Sequence, residues 1–363
     1  MAGKKVIIGM SGGVDSAVSA LQLVEQGYDV SAIFMQNWDH KNDPNCSAAQ
    51  DLTDARAVCD KLKIPLTTVN FTEQYWHKVF QYMLDEYSAG RTPNPDIICN
   101  QEIKFKAFLQ HALASGAHYI ATGHYAQIRE ENGKWHLLKA VDLAKDQTYF
   151  LYTLGQEALS KTLFPIGHLK KNEVRLLAQK AGLSNYHKKD STGICFIGER
   201  NFRKFLGEYL LSKPGEIVTT KNVVLGKHQG VMFYTLGQRQ GLGIGGQKQQ
   251  QEAPWYVVAK NLEKNQLIVA QKHDHPLLLS QHCISEKNHW IQENAPTLPL
   301  MCWAKTRYRQ TEQKCTITNF SHDHFYTSFQ TNQWAVTPGQ AIVYYAGDEC
   351  LGGGTIVSAN ANH

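Results

Sequence analysis

Three stretches of this chain hold residues that could do chemistry. The first is Gly9-Met10-Ser11-Gly12-Gly13-Val14-Asp15-Ser16. It follows the apolar run Val6-Ile7-Ile8 and precedes an amphipathic run over 17–24, which reads as strand, glycine turn, helix. Glycines let the turn be tight and bring backbone N–H groups close to a ligand. The opening of a helix adds unpaired N–H groups and the positive end of its dipole. Such a place suits phosphate, and the hydroxyls of Ser11 and Ser16 can donate to it. Asp15 repels a bare phosphate, so a metal ion is expected beside it. An ordinary glycine-rich turn is the alternative.

The second stretch is Arg91-Thr92-Pro93-Asn94-Pro95-Asp96-Ile97-Ile98-Cys99-Asn100. Two prolines stiffen it and exclude helix through its middle, which predicts a rigid loop holding Asn94, Asp96 and Cys99 ahead of a helix. Cys99 near a helix N-terminus would have its thiolate favoured. A proline-kinked connection with a buried cysteine fits equally well. The third stretch carries Cys195 after a Ser-Thr-Gly turn, with Lys188, Lys189 and Asp190 upstream. Positive charge favours a thiolate, although Ile194 and Phe196 also suit a core cysteine. The pair tips the balance, because both cysteines lie in polar, turn-rich surroundings in a chain with a phosphate loop.

Length and composition bound these readings. The 363 residues suggest two or three domains, and 42% hydrophobic content is enough for a substantial core. A net charge of +5 is compatible with a nucleic-acid partner without demanding one. No apolar run approaches ~20 residues, so no membrane span is expected. The N-terminus enters the first strand too soon for a signal peptide, and a cytoplasmic location follows. None of the eight cysteines forms a C-x-x-C pair, which disfavours a zinc ribbon. No protein metal-ligand set is read from the sequence; His273, His275, His322 and His324 suit a solvated surface.

The elements that must position these residues come in three groups. From 1 to 205, strands at Tyr28–Phe34, Pro65–Val69 and Tyr119–Thr122 alternate with helices over 51–62, 72–87 and 103–113. This predicts an α/β catalytic domain built on a doubly wound parallel sheet, with the loops after Ile8, Phe34 and Thr122 converging on one crevice. A polar loop with Trp38, Asp39, Asp43 and Cys46 follows the second strand. Residues 206–275 read as a small β-rich central domain after a helix ending near Leu211, with short strands near 216–218, 223–225, 232–234, 255–258 and 266–270. Residues 276–363 read as a small β-barrel, in which Arg307-Tyr308-Arg309 interleaves charge with an aromatic, a pattern suited to RNA contact.

Ser-Gly-Gly-x-Asp-Ser resembles the pyrophosphate loop of the ATP pyrophosphatases, which adenylate a substrate. Taken with Thr-Pro-Asn-Pro-Asp-x-x-Cys-Asn at 92–100 and Asp-Ser-Thr-Gly-Ile-Cys-Phe-Ile-Gly-Glu-Arg at 190–200, the chain resembles the bacterial tRNA-specific 2-thiouridylase family over almost its full length. Gln101, Lys106 and Gln127 depart from the family's commoner residues. The resemblance implies ATP and Mg2+ as cofactors, with Gly9, Met10, Ser11, Gly12, Gly13, Val14, Asp15, Ser16, Met35 and Gly123 holding the nucleotide. It implies that Asn94, Pro95 and Asp96 face the target uridine, with Asp96 in acid–base work. Cys195 would carry a persulfide and Cys99 would close a transient disulfide with it. His124, Lys145, Asp146, Gln147, Arg307, Tyr308 and Gln340 would contact tRNA, at the anticodon loop of the Lys, Glu and Gln tRNAs. A sulfur-relay protein or cysteine desulfurase would load Cys195. The competing readings are a ligase adenylating a small metabolite, an iron–sulfur tRNA thiolase with Asp96, Cys99 and Cys195 as cluster ligands, and an RNA-binding protein with a vestigial ATP loop.

Overall fold

The computed structural model describes residues 3–38, 48–190, 202–244, 253–321 and 323–359. Its first strands are β1 (Lys5–Gly9), β2 (Asp29–Gln36), β3 (Leu66–Asn70) and β4 (Tyr119–Ala121). A hairpin follows, β5 (Ala126–Glu131) and β6 (Lys134–Lys139), and then β7 (Thr162–Leu163). Five of them form a parallel sheet in the order β3-β2-β1-β4-β7. Side chains alternate across it with the period of two that a strand imposes. Val6, Ile8, Ala32 and Phe34 enter one core, while Ile7, Ile33 and Met35 enter the other. Both faces are thus apolar and both are covered, as a parallel sheet requires.

The helices are α1 (Val14–Glu25), α2 (Ala48–Leu62), α3 (72–88), α4 (95–114), α5 (Gln156–Ser160), α6 (Lys171–Lys180) and α7 (Phe202–Gly207). The start of α4 corrects the expected rigid loop. Pro95 sits at the first helical position, where its missing N–H costs nothing and its fixed φ is already helical. Asn94, extended at φ −113° and ψ 93°, is the residue outside the helix. Asp96 and Cys99 are therefore helical residues.

The central region pairs β8 (Gly215–Thr219), β9 (Val224–His228), β10 (Trp255–Asn261) and β11 (Gln266–Gln271) in the order β10-β11-β8-β9. The strand expected over 232–234 is instead part of a 3-10 turn, Val231–Phe233. Gly230 swings the chain out of the sheet at φ +148°, with its N–H donating to His228 Nδ1 at 3.0 Å.

The last region comprises β12 (Leu279–Trp290), β13 (Leu300–Lys305), β14 (Gln313–Ser321), β15 (His324–Trp334), β16 (Ala341–Ala346) and β17 (Glu349–Ser358). Their order, β12-β15-β14-β13-β16-β17, closes through a β12–β17 pairing into a six-stranded barrel. Strand β12 escaped the sequence reading because its buried positions include Ser280 and Ser285, which blur the apolar alternation.

The hairpin β5–β6 also escaped it, and it carries the long-range architecture. β6 pairs with β17, so the hairpin extends the barrel sheet. At this seam Lys139 Nζ lies 2.7 Å from both Glu312 and the Gly347 carbonyl, and 4.8 Å from the centre of the Tyr345 ring. The Lys139 side chain is only 8% exposed, so the pair is substantially desolvated. Removing Lys139 strips the Gly347 carbonyl of its donor and leaves Glu312 only the longer contact with Lys305 at 3.5 Å, at a cost of roughly 3 kcal/mol. Lys139→Met should therefore lower the unfolding free energy by about 3 kcal/mol. Urea denaturation measures this.

Candidate active site

The crevice forms where the strand order reverses, between β1 and β4, the place at which parallel sheets bind ligands. The loop after β1 is held by its own hydroxyls. Ser16 Oγ donates to the Gly13 carbonyl at 3.0 Å and accepts the Ser11 N–H at 3.3 Å, while Ser11 Oγ accepts the Gly13 N–H at 3.3 Å. The two hydroxyls are 3.1 Å apart. Gly12 has φ +76°, and a Cβ there would lie 2.2 Å from the Asp51 carbonyl oxygen. A Cβ at Gly123, just past β4, would lie 2.7 Å from the Ser16 amide nitrogen. Both glycines are thus required by close backbone approach. The amides of Val14, Asp15 and Ser16 form the first turn of α1 and have no helical acceptors. These features make a cradle for phosphate.

The cation beside Asp15 is a lysine. Lys171 Nζ sits 2.7 and 2.8 Å from the two Asp15 carboxylate oxygens, and the Tyr125 hydroxyl donates to one of them at 2.8 Å. Lys171 is also 2.7 Å from Asp190, which accepts from Lys145 at 2.6 Å and Arg175 at 3.1 Å. Burial alone would raise the Asp190 carboxyl; hydrogen bonds from Lys145 and Lys171 outweigh it and hold the group at about 2. The Gly12 carbonyl accepts from Asn185 at 3.0 Å and from Lys188 at 3.3 Å, and Lys188 also reaches Asp51 at 2.7 Å and Asp54. Sequence reading missed Lys171, Tyr125 and Asn185, whose only signal is their placement in three separate segments. Among the described residues there is no cluster of three side chains able to hold a metal ion.

Helix α4 leans on this loop, since a Cβ at Gly9 would lie 3.0 Å from Met35 Cε and 3.6 Å from the Phe108 ring. The start of α4 is clamped by the barrel. Gln340 Nε2 donates to the Thr92 carbonyl at 2.8 Å and the Pro93 carbonyl at 3.3 Å, and Thr92 N–H donates to the Pro338 carbonyl at 3.0 Å. Tyr308 packs on Phe150 with ring centres 4.3 Å apart, and the Phe150 carbonyl accepts from Asn100 on α4 at 3.1 Å. Gln340 and Tyr308 are thus brought together with the segment holding Asn94, Pro95, Asp96 and Cys99.

The other residues expected at RNA divide by burial. Arg307 Nη2 donates to the Leu236 and Ala335 carbonyls, both at 2.9 Å, which ties the central region to the barrel. Asp146 is buried, accepting from the Ala140 N–H at 3.1 Å and the Thr148 hydroxyl at 2.7 Å. Gln147 accepts the Tyr125 N–H at 2.9 Å. Lys145 remains partly exposed. His124 is buried, with Nδ1 2.8 Å from the Thr122 hydroxyl; burial first, then the nearby Lys104 charge, holds its ring well below the ordinary histidine range.

Cys99 is fully buried in the core that also holds Ile97 and Ile103, on the helix instead of in the polar turn expected. Cys195, Cys46, Asp39, Asp43 and His322 lie outside the described residues. Burial pushes the thiols of Cys59 up to about 11 and Cys283 up to about 12, as befits core cysteines.

Residues 4–199 match the tRNA methyl transferase HUP domain, 203–271 the tRNA methyl transferase PRC-barrel domain, and 280–356 the aminomethyltransferase β-barrel domain. The tRNA-specific 2-thiouridylase MnmA of Methylobacillus flagellatus is 57% identical over 98% of this chain and 99% of its own length. The chain belongs to this family. The tRNA-specific 2-thiouridylases of Coxiella burnetii, at 54% over 97% of both chains, and Legionella pneumophila, at 56% over 97% of this chain and 98% of its own, agree. No helix among the described residues is long and apolar enough to cross a membrane.

Two outcomes follow. Gly12→Ala should weaken ATP binding measured by calorimetry, because the loop must shift away from Asp51 to admit the Cβ. His124 is held neutral when folded, so its proton uptake on unfolding costs stability as pH falls below its unfolded value. By NMR its ring should not titrate between pH 6 and 7, where exposed histidines do.

Proposed function

We propose that this protein thiolates the 2-position of the wobble uridine of tRNA in an ATP-dependent reaction, with Cys195 and Cys99 as the sulfur relay. The observation that carries the reading is the phosphate cradle at Gly12–Ser16 lying at the switch point beside the helix that bears Asp96 and Cys99. Full-length identity to named 2-thiouridylases supports it.

Uridine O2 is a poor leaving group; it attacks the α-phosphorus of ATP, pyrophosphate leaves, and the adenylated oxygen can then depart as AMP. The amides of Val14, Asp15 and Ser16 and the hydroxyl of Ser11 fit the phosphates, with Gly9, Met10, Gly12, Gly13, Met35 and Gly123 shaping the pocket. Asp15, held by Lys171, is the carboxylate of this loop that would face Mg2+, which when bound would supply positive charge against the phosphates. Asn94, Pro95 and Asp96 receive the base, and Asp96 moves its proton. The terminal sulfur of a Cys195 persulfide attacks C2 and AMP leaves. The Cys99 thiolate then attacks the Cys195 sulfur, so that the bond to the transferred sulfur breaks and a disulfide forms. Release of that sulfur as sulfide, which then attacks C2, balances equally. The clamp from Gln340 and Tyr308 holds the base-receiving segment against the barrel while Lys145, His124, Asp146, Gln147 and Arg307 form or brace the RNA-facing side.

The test is single-turnover thiolation with unmodified tRNA and Mg2+-ATP, with nucleosides resolved by mass. Thiouridine should form with either sulfide or a protein persulfide donor. Cys99→Ala and Cys195→Ala should abolish the persulfide-driven reaction while sparing the sulfide-driven one. Persulfide-driven thiolation unchanged in Cys195→Ala would remove the relay. Pyrophosphate release on a small acceptor with no thiouridine would make the protein a ligase. Visible absorbance after anaerobic purification would instead mark a cluster enzyme.

A further inference from the structure

A buried amide at the carboxyl end of β2 has nothing to bond. Asn37 is 2% exposed, and neither its Oδ1 nor its Nδ2 has a hydrogen-bond partner among the described residues. Asn100 and Asn185, also buried, each make an internal bond, to the Phe150 carbonyl at 3.1 Å and the Gly12 carbonyl at 3.0 Å. The backbone on both sides of Asn37 is fixed. Strand β2 keeps its register with β3 to its last residue, where the Gln36 carbonyl accepts the Phe71 N–H at 2.8 Å. Along its other edge the Ile33 carbonyl accepts the Met10 N–H at 2.9 Å, so the ATP loop leaves the sheet beside it. Past Asn37, the Trp38 ring packs on Phe80 with centres 4.8 Å apart. Asn37 is thus the first residue beyond the carboxyl end of the strand next to the phosphate loop, and that edge is where parallel sheets take ligands.

A buried amide without partners is destabilising, and a ligand that supplies both partners offsets this. The asparagine amide sets an acceptor beside a donor. Phosphate oxygens only accept, so they satisfy half of it. A nucleobase edge satisfies both halves. Adenine presents an amino N–H beside a ring-nitrogen acceptor, and uracil presents N3–H beside O4. We propose that Asn37 grips the hydrogen-bonding edge of a nucleobase with both of its amide atoms, at the ligand edge of the parallel sheet. The inference deepens the ATP-dependent thiolation reading and rests on it, since that reaction brings in two bases with this pattern, the adenine of ATP and the target uracil. In the uracil case, pairing through N3–H and O4 leaves O2 free to be adenylated. A base lacking either group leaves the amide half-paired, so the same residue would confer selectivity.

Asn37→Leu keeps the bulk of the side chain and removes the amide. Two assays separate the two bases. The first is calorimetry with ATP and with purine riboside triphosphate, which lacks the amino group. The second is single-turnover thiolation at saturating ATP. If adenine is the base, ATP affinity should fall on the order of ten- to a hundredfold, while affinity for the analogue changes far less. If uracil is the base, ATP affinity should hold and thiolation should fall by a similar factor. The urea midpoint should not drop in either case, because no internal bond is lost; an amide that serves only the fold would lower it. Asn37→Ser should show the same losses and decides the matter if Asn37→Leu does not fold. ATP affinity and thiolation both unchanged, or losses in both variants that come with a lowered urea midpoint, would overturn the proposal. Failure of the thiolation reading looks different: the unaltered protein then makes no thiouridine with any donor, uracil drops out, and the comparison of ATP with its analogue decides alone.

Discussion

A carboxylate set in the first turn of a helix, inside a loop shaped for phosphate, needs a counter-charge, and the Lys171 ammonium supplies it. Asp15 gains from the helix dipole but repels the ligand the loop is made for. Lys171, at the first position of α6, meets both of its oxygens, and Tyr125 donates to one of them. Because Lys171 comes from 156 residues further along the chain, the loop cannot be completed until α6 has packed across α1. The same lysine holds Asp190, so one ammonium joins the cradle to the chain beyond it.

The barrel and the central region act on the site through backbone contacts. Gln340 and Pro338 grip Thr92 and Pro93, Tyr308 packs on the Phe150 that binds Asn100, and Arg307 bridges Leu236 to Ala335. The three regions are thereby locked around the opening of α4. Residues that the family resemblance assigns to RNA are in part the residues that brace this opening.

Legibility in the sequence followed the range of the interactions. The phosphate loop was legible because its chemistry is local: serines, glycines and the helix start lie within eight residues. The parallel sheet was legible from its runs of apolar residues, with strand ends shifted by a residue or two. Pro95 misled, since a proline bars helix behind it and welcomes helix ahead of it, and only tertiary packing decides which side continues. The hairpin β5–β6 was missed because its partner strand lies over 200 positions away. Lys171 and Asn185 were missed for the same reason: nothing near them in sequence marks the carboxylate or carbonyl they meet.

If sulfur passes through Cys195, it leaves a bond between Cys195 and Cys99 behind. The direct measurement is peptide mapping by mass spectrometry, under non-reducing conditions, after one turnover with a persulfide donor, tRNA and ATP. A Cys99–Cys195 linked peptide should accumulate in step with thiouridine and be absent when tRNA is withheld. Stoichiometric thiouridine with both cysteines recovered as thiols would contradict it.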